Sequence, residues 1–127
     1  MKKNVNLEQI RARNALSLAE SGAVSGKEGG EVIKKIPPLI MNHGLLATAA
    51  FAFDEKNRGF KKVFDAIAAH LADPEIGVLP EDKGDLSKMM GFLTDDADSV
   101  VLRNATNETM AWLSYARRFV KKNGDME

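Results

Sequence analysis

Residues 102–119 read LRNATNETMAWLSYARRF, and this stretch decides the fold. An α-helix turns about 100° per residue, so side chains three or four positions apart share a face. Apolar and small side chains recur at that spacing along one narrow arc: Leu102, Ala105, Thr109, Leu113, Ala116 and Val120. The pattern predicts a long amphipathic helix whose arc faces a core.

The same helix has two further faces. Basic residues spread over the side opposite the apolar arc: Arg103, Arg117, Arg118, Lys121 and Lys122. A separate flank carries the aromatic residues Trp112, Tyr115 and Phe119. The flank is either a contact surface or the edge of the core, and the cations either meet a partner or complement the helix dipole. Spacing alone leaves both alternatives open.

The composition is typical of one globular domain spanning residues 1–127. The chain is 44% hydrophobic and 28% charged, which suffices for a core without disulfides. It has no cysteine, which excludes thiolate zinc sites. The charges of eighteen basic and eighteen acidic residues cancel. A net charge of zero argues against a protein that binds duplex DNA through net positive charge alone. Residues 73–109 are nevertheless acidic, with three basic against nine acidic side chains.

Neither a signal peptide nor a transmembrane segment is predicted. Lys2 and Lys3 are not followed by the apolar region of a secretory signal. The longest apolar run, 45–53, is too short to cross a bilayer. We therefore expect a cytoplasmic protein that does not contact membranes.

The remaining segments also follow the helical period and predict an all-α, single compact bundle of about six helices. A first helix contains Leu7 and Ile10, and a second carries Val32, Ile33, Ile36, Leu39 and Ile40 towards the core. Pro37-Pro38 should kink this second helix or start a new one, because proline lacks the N–H that the helical ladder needs. Gly44 should end it.

The second half of the bundle follows from the same reasoning. The run 45–53 predicts a short central helix. For the free protein we expect only weak binding of single-stranded RNA, because a neutral chain offers few clustered cations and no stacking platform of exposed aromatic side chains. Residues 60–71 predict a fourth helix, 74–84 a loop with two prolines, and 86–93 a fifth helix. The acidic segment 94–99 should cap the long last helix.

No catalytic constellation can be assembled from these residues. His43 and His70 lie on different segments, without a metal-ligand spacing. Asp95, Asp96 and Asp98 could hold a hard cation, but helix capping is the better interpretation, since the glycine and glutamate of a calcium loop are absent. We expect a protein that is not an enzyme and needs no cofactor or metal.

Two segments together resemble a known family, the small subunit of the Cmr effector complex of type III-B CRISPR systems. The first is the segment 34–45 followed by Ala49-Ala50-Phe51, with its lysine, proline and glycine-leucine pattern. The second joins Arg103, Thr106 and Glu108 to the run 112–119, and Arg11, Ala12 and Ala15 of the first helix also fit. His43 departs from the asparagine usual before the glycine-leucine pair, and Tyr115 from a common tryptophan.

The resemblance implies a non-catalytic, RNA-binding helical protein of antiviral defence. Such a subunit stacks with copies of itself along a filament, meets the backbone and large subunits, and faces the duplex of guide RNA and target RNA. Base pairing reads the sequence in such machines, so the protein needs only cations directed at phosphates. The expected nucleic-acid-binding residues are Arg11, Lys34, Lys35, Arg117, Arg118 and Lys121. Trp112, Tyr115 and Phe119 are the expected subunit interface.

Two other functions stay open. The corresponding small subunit of a type III-A complex is a helical protein in an equivalent place. A free-standing dimeric adaptor or regulator could instead bury the aromatic flank in a two-fold interface.

Overall fold

A computed structural model describes residues 6–22 and 30–120 of the chain. Six α-helices occur in these ranges, without a strand: α1 (Leu7–Ser21), α2 (Val32–His43), α3 (Leu45–Ala50), α4 (Arg58–Leu71), α5 (Leu86–Asp95) and α6 (Ser99–Phe119). Two single 3-10 turns, Phe51–Phe53 and Glu55–Asn57, join α3 to α4. The predicted all-α fold is thus confirmed. None of the helices described is long and apolar enough to cross a membrane.

Side chains next to the helices fix where several of them begin and end. The Asn6 side chain accepts a hydrogen bond from the Gln9 backbone N–H, and the Gln9 side chain returns one, which forms a capping box for α1. The Asp98 side chain accepts from the Val101 N–H and caps α6, as the acidic segment 94–99 predicts. Gly44 follows α2 with a φ of 93°, a conformation that disfavours residues with a Cβ.

The core lies around α4, with α2 and α6 packed against it. The fully buried face of α4 consists of Val63, Phe64, Ile67, Ala68 and Leu71. On α6 the predicted arc is confirmed: Ala105, Thr109, Leu113, Ala116 and Val120 are buried, and Leu102 packs partly buried against them. α1 packs mainly along α6 and inserts the small Ala15 into the core.

α2 continues through both prolines, so the expected alternative of a fresh helix start is wrong. One helix covers Val32–His43 with Pro37 and Pro38 inside it. The prolines cannot donate to the carbonyls four residues earlier. The face that carries Ile33, Ile36 and Ile40 is buried, with each side chain at most 3% exposed, and this burial stabilises the segment against the missing hydrogen bonds. A bend at the prolines stays a prediction.

The apolar run 45–53 does not form one buried helix. α3 ends at Ala50, and the following 3-10 turn leaves Phe51 45% and Phe53 55% exposed. The buried positions of the run are Leu45, Thr48, Ala49 and Ala52, and α3 packs against α2 and α5. Two aromatic rings that the sequence places in a central helix are therefore exposed.

Candidate nucleic-acid interface

Lys34 and Lys35, two of the predicted strand-contacting cations, are exposed on α2. Their neighbours Ile33 and Ile36 are completely buried on the other side of the helix. The helical period that directs the isoleucines inward therefore directs both lysines towards solvent. This pair is accessible to a phosphate backbone.

Arg11 is held by a carboxylate within the chain. Its Nε and Nη2 atoms donate to Glu108 of α6 at 2.8 and 2.7 Å, a bidentate pair that joins α1 to α6. The Arg11 side chain is 22% exposed and that of Glu108 only 9%. An arginine held in this way has a structural partner, and no local pattern indicates one 97 positions away.

His70 extends this contact into a buried network. It is 2% exposed, and its Nε2 atom lies 2.9 Å from Glu108 Oε2. Its Nδ1 atom lies 2.9 Å from Asn14 Nδ2, which also donates to Asp73 Oδ2 at 3.0 Å. Because an amide N–H can only donate, Nδ1 must be the acceptor and Nε2 carries the proton that is donated to Glu108. The neutral imidazole thus has both nitrogens paired.

The charges in this network follow from burial and hydrogen bonding. Burial lowers the pKa of His70, although the hydrogen bond with Glu108 acts to raise it. Burial acts to raise the pKa of Glu108, but the hydrogen bonds from Arg11 and His70 outweigh it, so this pKa is lowered. A neutral histidine and an ionised glutamate are therefore the stable pair, which suits a structural tie between helices.

A second arginine of α1 makes a similar contact at the surface. Arg13 donates to Asp73 at 2.8 Å and to Glu75 at 2.9 Å. The Arg13 side chain is 51% exposed and that of Glu75 33%. These pairs fix α1 against the end of α4 in an environment where water screens the charges.

The C-terminal cations lie at the end of α6. Arg117 and Arg118 are exposed in its last turn, where positive charge also complements the helix dipole. Lys121 lies outside the described residues. The two arginines are thus accessible. Their position is compatible with contact to a partner and with a stabilising interaction with the helix dipole.

The aromatic flank divides into a buried and an exposed part. Trp112 is 1% exposed, and its ring stacks on His70 with the centroids 5.2 Å apart. This residue belongs to the core, which corrects its assignment to a subunit contact. The sequence left open whether the aromatic flank is a contact surface or the edge of the core, and at Trp112 α4 covers it. Tyr115 is partly buried, and Phe119 is 38% exposed. Only the end of the flank can meet a neighbour.

A groove of about 790 Å³ opens where α2, the 3-10 turns, and the first turns of α4 and α5 meet. Its cationic lining residues are Lys35, Lys56, Arg58 and Lys61, all of them exposed. Two carboxylates, Asp54 and Glu55, and two aromatic rings, Phe53 and Phe60, share the lining. The groove therefore combines an excess of positive charge with aromatic surface.

One aspartate of the 94–99 segment, Asp98, caps α6 with its side chain, and Asp95 and Asp96 lie at the C-terminal end of α5. Across residues 6–22 and 30–120, no group of three or more His, Asp or Glu side chains is arranged to hold a metal ion.

Sequence reasoning missed the cations at Lys56, Arg58 and Lys61. A signal was present, since residues 54–62 hold four basic and two acidic side chains in a chain whose net charge is zero. Linking that cluster to Lys35 requires the packing of α2 beside α4, which no local pattern specifies.

Comparison with known protein families gives a match. The family model described as CRISPR-associated protein (Cas_Cmr5) matches residues 7–122, which is most of the chain. No curated protein and no solved structure gives a significant match.

Proposed function

The chain belongs to the Cas_Cmr5 family of CRISPR-associated proteins, and from this premise we propose that it stacks along a type III-B effector filament and contacts the target strand. Membership in this family implies association with the other subunits of a Cmr complex. The observation that carries the proposal is the length of the family match, residues 7–122, which includes every helix described above.

Exposed cations support the contact with the target strand. Lys34 and Lys35 on α2, and Arg117 and Arg118 on α6, are accessible to phosphates. Arg11 donates two hydrogen bonds to Glu108, so we assign it to the tie between helices instead. Phosphate-directed contacts of this kind carry no sequence information, which suits a machine that reads its target by base pairing.

We further propose that the protein acts without catalysis and associates with copies of itself. Its family is that of a small subunit, which supports the first point. Phe119, exposed at the end of α6, supports the second, because an exposed aromatic ring beside partly buried Tyr115 provides a small apolar contact. Burial of Trp112 leaves too little of the flank for the alternative of a two-fold adaptor interface.

Reconstitution of the complex with and without this chain tests the proposal. The complex with the chain should retain a complementary single-stranded RNA more tightly, and the advantage should shrink as salt rises, since phosphate contacts release counterions. Equal retention with and without the chain, or failure of the chain to copurify with the other subunits, would overturn the proposed function.

A further inference from the structure

Two aromatic rings, Phe53 and Phe60, line the groove at the start of α4. Phe51 packs edge-on against Phe60, with ring centroids 6.0 Å apart. The Asn57 side chain donates to the Phe51 carbonyl at 3.1 Å, and the Asp54 N–H donates to the same carbonyl at 3.2 Å. These bonds hold the turn so that Phe53 stays at the rim of the groove, 55% exposed.

The charged groups of the groove are disposed asymmetrically. Asp54 accepts a hydrogen bond from the Lys56 backbone N–H at 2.9 Å, so its carboxylate is directed into the turn. Lys61 bonds to Asp65, one turn further along α4, at 2.9 Å, yet its side chain remains 59% exposed. With Lys35 across the groove on α2, the cations outnumber the carboxylates at its opening.

We propose that this groove binds single-stranded nucleic acid, with Phe53 stacking on a base and Lys35, Lys56 and Lys61 meeting the adjoining phosphates. A polyanion complements the excess of cations, and a ring on a fixed turn beside those cations is the combination that single-strand-binding surfaces use. An acidic protein segment would satisfy the cations but would have no need of a flat ring. The inference rests on the proposed function, because it assigns the strand contact to a defined surface.

Substitutions at Phe53 separate base stacking from apolar contact. In the reconstituted complex with guide RNA and a target RNA that extends unpaired beyond the guide, Phe53→Leu should weaken retention about five-fold or more, since a leucine keeps the bulk but lacks the π face. Phe53→Tyr should bind like wild type. Circular dichroism and melting of each variant will establish that all of them fold.

Two matched lysines test the phosphate contacts. The side chains of Lys61 and Lys88 are equally exposed, 59% and 60%, and each has an acidic neighbour on its own helix or cap, but Lys88 does not line the groove. Lys61→Ala should reduce the slope of log affinity against log salt by about 0.7 for each phosphate that the lysine no longer neutralises. Lys88→Ala should leave the slope unchanged.

Three results would overturn the inference in different ways. Wild-type retention by Phe53→Leu and Lys61→Ala, in a complex that still loses the target when the chain is omitted, would place the strand elsewhere and leave the proposed function intact. Loss of the variant chains from the complex itself would identify the groove as a protein docking surface. Equal effects of Lys61→Ala and Lys88→Ala would mean that the lysines act only through general electrostatic attraction and that the groove makes no specific phosphate contact.

Discussion

Replacing Glu108 with alanine should release α1 from the bundle more than any other single change in the polar network. Glu108 accepts from Arg11 Nε at 2.8 Å, from Arg11 Nη2 at 2.7 Å, and from His70 Nε2 at 2.9 Å. The substitution leaves all three donors without this acceptor. His70 is almost wholly buried and cannot replace the bond with water, whereas the Arg11 side chain is 22% exposed.

The magnitude follows from that difference in exposure. Removing one member of a buried ion pair costs about 3–5 kcal/mol. Partial hydration of Arg11 reduces this, so we expect the free energy of unfolding to fall by about 2–3 kcal/mol. In a domain of this size each kcal/mol corresponds to about 4 °C in melting temperature. Urea unfolding followed by far-ultraviolet circular dichroism at neutral pH measures the loss directly.

Glu75 provides the matched control. It also accepts from an arginine of α1, Arg13, at 2.9 Å, but both side chains are substantially exposed. Exposed pairs contribute about 0–1 kcal/mol, so Glu75→Ala should change stability by less than half as much as Glu108→Ala. Equal effects of the two substitutions would refute the reasoning that burial decides the strength of these contacts.

Three further predictions concern stability. The free energy of unfolding should fall as the pH drops below 6.5, the ordinary pKa of histidine. Below that pH the unfolded chain takes up a proton on His70, whereas native His70, with its lowered pKa, does not. The variant His70→Gln should lose this step in the pH dependence of urea unfolding. Ile36→Ala should cost about 2–5 kcal/mol in thermal or urea unfolding, since the side chain is completely buried, whereas the partly buried Leu39 should cost less. Lys35→Ala should leave the melting temperature within the shift expected from about 0.5 kcal/mol, and a larger loss would mean that this lysine is structural.

Local pattern predicted the helices well because each of its signals acts within a few residues. The arc from Ala105 to Val120, the stop at Gly44 and the cap at Asp98 depend on the 100° period, a permissive φ and one side chain bonding to a nearby N–H. The prolines of α2 are misleading for a related reason. The rule against proline is local, while the burial of Ile33, Ile36 and Ile40 that keeps the helix together involves neighbours from elsewhere in the chain.

The candidate site was predicted only in part. Exposure of Lys35 follows from its position opposite the buried isoleucines, and this much was readable in the sequence. Its partners in the groove, Lys56 and Lys61, lie more than twenty positions away and join it through helix packing. Phe53 was expected inside a helix, but the chain turns after Ala50 and exposes the ring.

The sequence by itself determined an all-α chain, the inner face of each main helix and the family to which the protein belongs. Tertiary structure alone decided the contact of Arg11 with Glu108 and His70, and it placed Trp112 under α4 while Phe119 remained exposed. The physical reason is that periodicity fixes the direction of a side chain relative to its own helix, whereas its partner depends on which helix packs against that face. Helix packing therefore decides which distant segments form polar pairs and where grooves open between helices.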